Sequence, residues 1–143
     1  MKINKKKAMI STLLTLVPVA MGFLLWNKLP ETMISHYGID GTADGYSTKL
    51  FTITVPFLLI TGVHWLCLFI TNVDKKNVEQ NKKVMDIMYW MIPMISIFVG
   101  CLIYSQALGM TIDPRMFVMP LCGVLFIVIG NYPPMTHTFP PKR

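Results

Sequence analysis

Side chains capable of chemistry concentrate in one polar stretch, residues 27–49, with the sequence NKLPETMISHYGIDGTADGYSTK. His36, Asp40 and Asp44 are spaced there by four residues. An imidazole with two carboxylates could supply three ligands to a divalent metal, or an acid–base pair. A simpler interpretation assigns both Asp residues to turns and places His36 at a membrane surface. A third makes the stretch a surface that binds a partner.

Turn-forming residues predict that this stretch is an ordered cap and not a linker. Pro30 restricts its own backbone and that of the preceding residue. Asp40-Gly41 and Asp44-Gly45 are both favoured turn dipeptides. The segment 32–37 fits a short strand or an interfacial segment, and a hydroxyl of Ser47-Thr48 can cap a following helix.

The elements that must position this stretch are apolar. Of the 143 residues, 53% are hydrophobic and only 14% are charged, against about a quarter in soluble domains. Several apolar runs reach the roughly 20 residues that a bilayer requires. We therefore predict an all-α membrane protein in which residues 1–143 form a single four-helix domain. The predicted transmembrane helices are about 8–26, 50–73, 84–108 and 116–132, with the outer cap at 27–49.

The distribution of Lys and Arg predicts the orientation of these helices. Ten of them flank one membrane face and three flank the other. Because cytoplasmic flanks are enriched in Lys and Arg, both termini are expected in the cytoplasm and the cap outside. The net charge of +6 is then explained by orientation in the lipid bilayer. Nucleic acid is not an expected partner.

The polar residues within the helices could have either a structural role or a functional one. His64 is a functional candidate because it is ionisable within a membrane segment, or it is a neutral imidazole bonded to a neighbouring helix. Asp86, close to Lys82 and Lys83, is expected to be a salt-bridged residue at the membrane interface, and Gln106 is expected to face water. One proline per helix predicts kinks at Pro18, Pro56, Pro93 and Pro120. Aromatic belts at the two membrane faces are predicted to contain Tyr89, Trp90 and Tyr104.

Catalytic signatures are missing from the sequence. It contains no GxSxG, no HExxH, no P-loop and no Cys/His metal spacing. The three cysteines, Cys67, Cys101 and Cys122, lie in apolar runs and are predicted to be packing residues. We therefore expect neither an enzyme nor a bound cofactor.

Two motifs resemble those of a known family. Residues 29–49 match the pattern L-P-x(5)-H-[FY]-x(3)-G-x(2)-D-x(3)-[ST]-K. Gly130-Asn131-Tyr132 with Pro134 resembles a G-N-Y-x-P-K turn, with Met135 in place of the Lys. Both are similar to motifs of the SdpI-type integral membrane immunity proteins, and the similarity covers the N-terminal four-helix part of that family.

The resemblance implies a protein of the bacterial cell (inner) membrane that gives immunity to a secreted membrane-active peptide toxin by binding it at the cap and helix bundle. The residues it assigns to binding are Pro30, His36, Tyr37, Asp40, Asp44, Tyr46 and Lys49. The residues it assigns to a structural motif are Gly130, Asn131 and Tyr132.

Two other functions remain open from the sequence. One is a membrane sensor whose basic loop at 74–83 recruits a cytoplasmic regulator. The other is a small membrane enzyme or metal-dependent protein that uses His36, Asp40 and Asp44.

Overall fold

The computed structural model describes residues 3–73 and 78–130 of the chain. The chain divides into two compact units between Ile112 and Asp113. The elements of the first are α1 (Lys5–Thr15), α2 (Val17–Leu24), a 3₁₀ turn (Trp26–Lys28), β1 (Thr32–Tyr37), β2 (Ala43–Thr48), α3 (Lys49–Val73) and α4 (Val78–Ala107). The second contains α5 (Arg115–Gly130).

Three helical segments among the described residues are long and apolar enough to cross a membrane: Lys5–Leu24, Lys49–Val73 and Lys83–Ala107. They correspond to the first three predicted transmembrane helices. The fourth, predicted at 116–132, is not confirmed as a span. Its helix α5 has 16 residues, and residues 131–132 lie outside the described part of the chain.

The first span is broken at Leu16, between α1 and α2, where Pro18 cannot donate a backbone hydrogen bond. The N–H of Val19 bonds to the carbonyl of Leu16 at 3.0 Å. Side chains of α4 donate hydrogen bonds to two carbonyls at the break. Ser96 Oγ donates to the Thr15 carbonyl at 2.8 Å, and the Tyr104 hydroxyl to the Pro18 carbonyl at 2.6 Å. The predicted kink at Pro18 is confirmed, whereas Pro56, Pro93 and Pro120 lie within unbroken helices.

The helices pack closely where glycine faces a neighbour. A Cβ on Gly100 would lie 2.6 Å from Pro18 Cβ, and one on Gly22 would lie 2.8 Å from Ile53 Cβ. Such approaches are typical of small residues at membrane helix contacts. The main buried cluster consists of Leu29, Met33, Ile53, Phe57 and Tyr104. It packs the segment that precedes α3 against helices α3 and α4.

Hydrogen bonds between polar side chains also join the helices. His64 Nε2 lies 2.8 Å from Ser11 Oγ, and both side chains are buried. Thr61 Oγ1 donates to Thr15 Oγ1 at 3.1 Å. These bonds connect α3 to α1, so the hydrogen-bonded interpretation of His64 agrees with the structure.

Two predictions for α4 were wrong. Tyr89 and Tyr104 are each 2% exposed, so they belong to the helix contacts and not to aromatic belts. Asp86 forms an ion pair with Lys7 of α1, at 2.6 Å, so the prediction of a salt-bridged Asp86 is confirmed. The Asp86 carboxylate and the Lys7 ammonium are close together because α1 and α4 pack side by side.

Candidate functional site

The polar stretch folds as a two-stranded antiparallel hairpin whose strands β1 and β2 are joined by residues 38–42. Asp40 Oδ1 accepts hydrogen bonds from the Thr42 N–H at 3.1 Å and the Thr42 hydroxyl at 2.7 Å. Gly41 has a φ of +81°, which glycine adopts without steric cost. The predicted strand at 32–37 and the predicted turn at Asp40-Gly41 are confirmed.

The predicted turn at Asp44-Gly45 was wrong, since both residues lie within β2. Gly45 is opposite His36, and the register skips Ser35 on one strand and Asp44 on the other. A Cβ on Gly45 would lie 2.7 Å from His36 Cβ. Glycine is therefore required by the close approach of the strands. Such an irregularity redirects side chains locally.

The irregularity brings His36 and Asp44 together. His36 Nδ1 lies 2.6 Å from Asp44 Oδ1, with the side chains 71% and 51% exposed. Asp40 instead holds the turn. Among the described residues no group of three His, Cys, Asp or Glu side chains converges as metal ligands would. The arrangement is an exposed hydrogen-bonded pair, which is available to a partner.

Lys49 lies beneath the hairpin, at the first residue of α3, and is only 4% exposed. Its Nζ donates to the carbonyls of Trp26 at 3.1 Å and Leu29 at 3.3 Å, and to Glu31 Oε1 at 2.8 Å. The ammonium also lies 4.5 Å from the centroid of the Trp26 ring. Buried charges require such partners. Lys49 thus joins the end of the first span to the start of the second.

Tyr37 fastens the far end of β1 to α4. Its hydroxyl donates to Gln106 Oε1 at 2.5 Å, and Gln106 Nε2 donates to the Ile112 carbonyl at 2.9 Å. Burial raises the pKa of the Tyr37 phenol above its ordinary value of 10.0. Gln106, expected to face water, is therefore a contact of the hairpin.

A cleft of about 160 Å³ lies between the hairpin and α4. Pro30 and Thr32 line one side and Gln106 the other. The volume is below the roughly 300–1,000 Å³ of small-molecule sites. It suits a single inserted side chain better than a whole ligand.

The outer face of the hairpin is exposed, apolar in part and acidic. Tyr46 is 62% exposed, and Ile39 at the turn is fully exposed. From Leu29 to Thr48 the chain carries three carboxylates and no Lys or Arg. A cationic partner would therefore meet no repulsive side chain within the hairpin itself.

The structure places the sequence-predicted site residues at three locations. His36, Asp40, Asp44 and Tyr46 lie on the exposed hairpin, while Tyr37 and Lys49 fix it to the helices and Pro30 lines the cleft. Sequence reasoning missed four further residues of the site: Trp26, Glu31, Ile39 and Gln106. Only Trp26 carried a signal, as an aromatic residue at the end of an apolar run. Gly130 ends α5, whereas Asn131 and Tyr132 lie outside the described residues.

Comparison with protein-family models finds one match, to the family described as Domain of unknown function (DUF1648), over residues 13–61. The matched segment runs from α1 through the whole hairpin and Lys49 into α3. No curated protein matches the chain. No solved structure matches it either.

Proposed function

We propose that this chain is a bacterial inner-membrane immunity protein of the SdpI type. It binds a secreted, membrane-active peptide at the hairpin, outside the cell. The observation that carries the proposal is a rigidly held hairpin with an exposed His36–Asp44 pair and exposed Tyr46. Because the proposal is one of binding, it assigns no catalytic step to these side chains.

The charge of the hairpin favours a cationic peptide. Glu31, Asp40 and Asp44 are its carboxylates, and Lys49, the ammonium at its base, is buried in the hydrogen bonds described above. An acidic surface beside a membrane attracts cationic amphipathic peptides and raises their rate of encounter. Tyr46 and Ile39 add apolar area, and aromatic residues are enriched among binding hot spots.

The rigidity of the hairpin also supports binding. An isolated two-stranded hairpin is marginally stable in water. This one packs Met33 into the helices and is held by Lys49 and by the Tyr37–Gln106 bond. A surface ordered before binding loses less conformational entropy when a partner arrives.

The test uses a strain that is sensitive to the secreted peptide fraction of the cells from which the gene comes. Expression of the wild-type chain is expected to preserve growth in that fraction. The double variant His36→Ala/Asp44→Ala and the single variant Tyr46→Ala are expected to lose most of the protection while reaching the membrane at wild-type levels.

Leu58→Ala is the matched control, because Leu58 is 57% exposed on α3 and lies away from the hairpin in sequence. It is expected to protect like the wild type. Equal killing with and without the wild-type chain, or full protection by the hairpin variants, would exclude this function.

A further inference from the structure

A groove of about 650 Å³ lies at the other end of the helices, between α1 and α3. Met9 and Leu13 line it from α1, and Trp65 lines it from α3. These side chains are 59%, 62% and 43% exposed, so the groove opens to its surroundings. Thr12 also lines it, but its hydroxyl donates to the Ala8 carbonyl of its own helix at 2.7 Å. The Thr12 hydroxyl therefore needs no hydrogen bond from a ligand, and this part of the groove is mainly apolar.

One end of the groove is polar. Lys5, the first residue of α1, and Asn72, the last but one of α3, line it there. Both positions are at the ends of candidate spans, where a membrane changes from hydrocarbon to headgroup. Asn72 Oδ1 is shielded whereas Lys5 is exposed, so the Lys5 ammonium, and not this oxygen, is the group that a ligand can reach.

The length of the groove matches one leaflet. Lys5 and Leu13 are eight positions apart, which is about 12 Å along a helix. One leaflet of a hydrocarbon core of about 30 Å is roughly 15 Å deep. An apolar groove of this depth with a cationic end has the shape and polarity of a phospholipid.

We propose that the α1–α3 groove binds an anionic glycerophospholipid of the phosphatidylglycerol type. Its phosphate pairs with the Lys5 ammonium. One acyl chain lies along Met9, Leu13 and Trp65, in the leaflet on the side of the N-terminus. The groove is remote from the hairpin in the helices, so this site is independent of the proposed immunity function.

Charge and polarity favour this occupant over a second copy of the chain. A helix from another copy would bring apolar side chains against Lys5 and leave its ammonium without a partner, which is costly at a membrane boundary. A lipid pairs its phosphate with this ammonium and fills the apolar part with hydrocarbon.

The experiment measures quenching of Trp65 fluorescence by brominated acyl chains in nanodiscs. The emission lost in Trp65→Phe defines the Trp65 signal in the full chain. Brominated phosphatidylglycerol is added to a phosphatidylcholine background, and brominated phosphatidylcholine is added in parallel. Phosphatidylglycerol is expected to reach half-maximal quenching of Trp65 at a mole fraction about five-fold lower, the preference that one cation near a membrane surface supplies.

Lys5→Gln is expected to remove most of that preference. Lys6→Gln is the matched control, because it deletes the same charge from an exposed neighbour that does not line the groove. Circular dichroism and Trp65 emission without bromine verify that both variants fold. Equal quenching by the two lipids, equal losses in the two variants, or a Trp65 signal that bromine does not reach would each overturn the proposal. The last result would mean that another helix or a second copy fills the groove.

Discussion

Lys49 is a charge that the fold removes from water at the boundary between the hairpin and the helices. Its four contacts come from three different residues of the preceding connection. Glu31, its only anionic partner among the described residues, is 88% exposed. The buried carbonyls therefore account for more of its contribution than the ion pair does.

Replacing Lys49 by methionine is expected to destabilise the protein by about 1–3 kcal/mol, because the buried carbonyl of Leu29 loses its donor. Glu31→Gln is expected to cost less than about 1 kcal/mol, as exposed ion pairs do. Unfolding monitored by circular dichroism in detergent micelles measures both. Lys28→Met removes the same charge from an exposed neighbour and is expected to have little effect. Similar losses in Lys28→Met and Lys49→Met would contradict the burial argument.

Tyr37 gives the hairpin contact with α4 a dependence on pH. Its phenol is neutral when protonated, and burial raises its pKa in the folded chain above 10.0. The stabilisation that the phenol contributes is therefore complete below its ordinary pKa of 10.0, which it has in the unfolded chain. This stabilisation is lost as the pH rises through the higher pKa of the folded chain.

We expect the difference in melting temperature between wild type and Tyr37→Phe to be constant at neutral pH and to shrink in alkaline solution. Thermal unfolding at a series of pH values measures it. A difference that grows above pH 10 would show that the ionised phenol is the form that the fold favours.

The contacts between helices depend on glycine at two positions. Gly100 faces Pro18 at the break in the first span, whereas a Cβ added to Gly62 on α3 would have no atom within 4 Å. Gly100→Ala is expected to destabilise the protein by about 1–3 kcal/mol, the usual cost of overpacking. Gly62→Ala is expected to be neutral or slightly stabilising, because alanine is the better helix former.

The same unfolding assay in micelles compares the two alanine variants. Gly22→Ala, which would approach Ile53, is expected to behave like Gly100→Ala. A loss in Gly62→Ala as large as that in Gly100→Ala would remove the packing explanation.

Local patterns predicted the elements better than their contacts. Apolar runs located the first three spans, and Asp40-Gly41 located the turn of the hairpin. Asp44-Gly45 carries an equally strong turn signal, but cross-strand packing against His36 overrides it. No local rule pairs Tyr37 with Gln106, or Lys7 with Asp86, because these contacts arise only when distant helices pack side by side.

For the candidate site, the sequence identified the hairpin but not the separate duties of its residues. The four-residue spacing of His36, Asp40 and Asp44 suggested convergence. The strand irregularity joins the first and third, while Asp40 turns to Thr42. Lys49 was grouped with the surface residues, since nothing local to it reveals that the carbonyls of Trp26 and Leu29 surround it.

At the scale of the whole molecule, the two proposed sites lie at opposite ends of the same helices. The hairpin connects the end of α2 to the start of α3, and the lipid groove involves the start of α1 and the end of α3. If α1 and α2 together cross the membrane, the two sites face opposite sides. The excess of Lys and Arg beside the termini then predicts that the hairpin faces outward.

Labelling of single cysteines in intact cells tests this arrangement. In a background with Cys67, Cys101 and Cys122 replaced by serine, Ile39→Cys at the exposed turn is expected to react with a membrane-impermeant maleimide added outside. Lys6→Cys, equally exposed but at the start of α1, is expected to react only after permeabilisation. The contrast follows because one span separates the two positions. Labelling of both residues from outside would mean that the first span does not cross the bilayer. Labelling of Lys6→Cys alone would reverse the orientation and leave the hairpin unable to meet a peptide secreted by neighbouring cells.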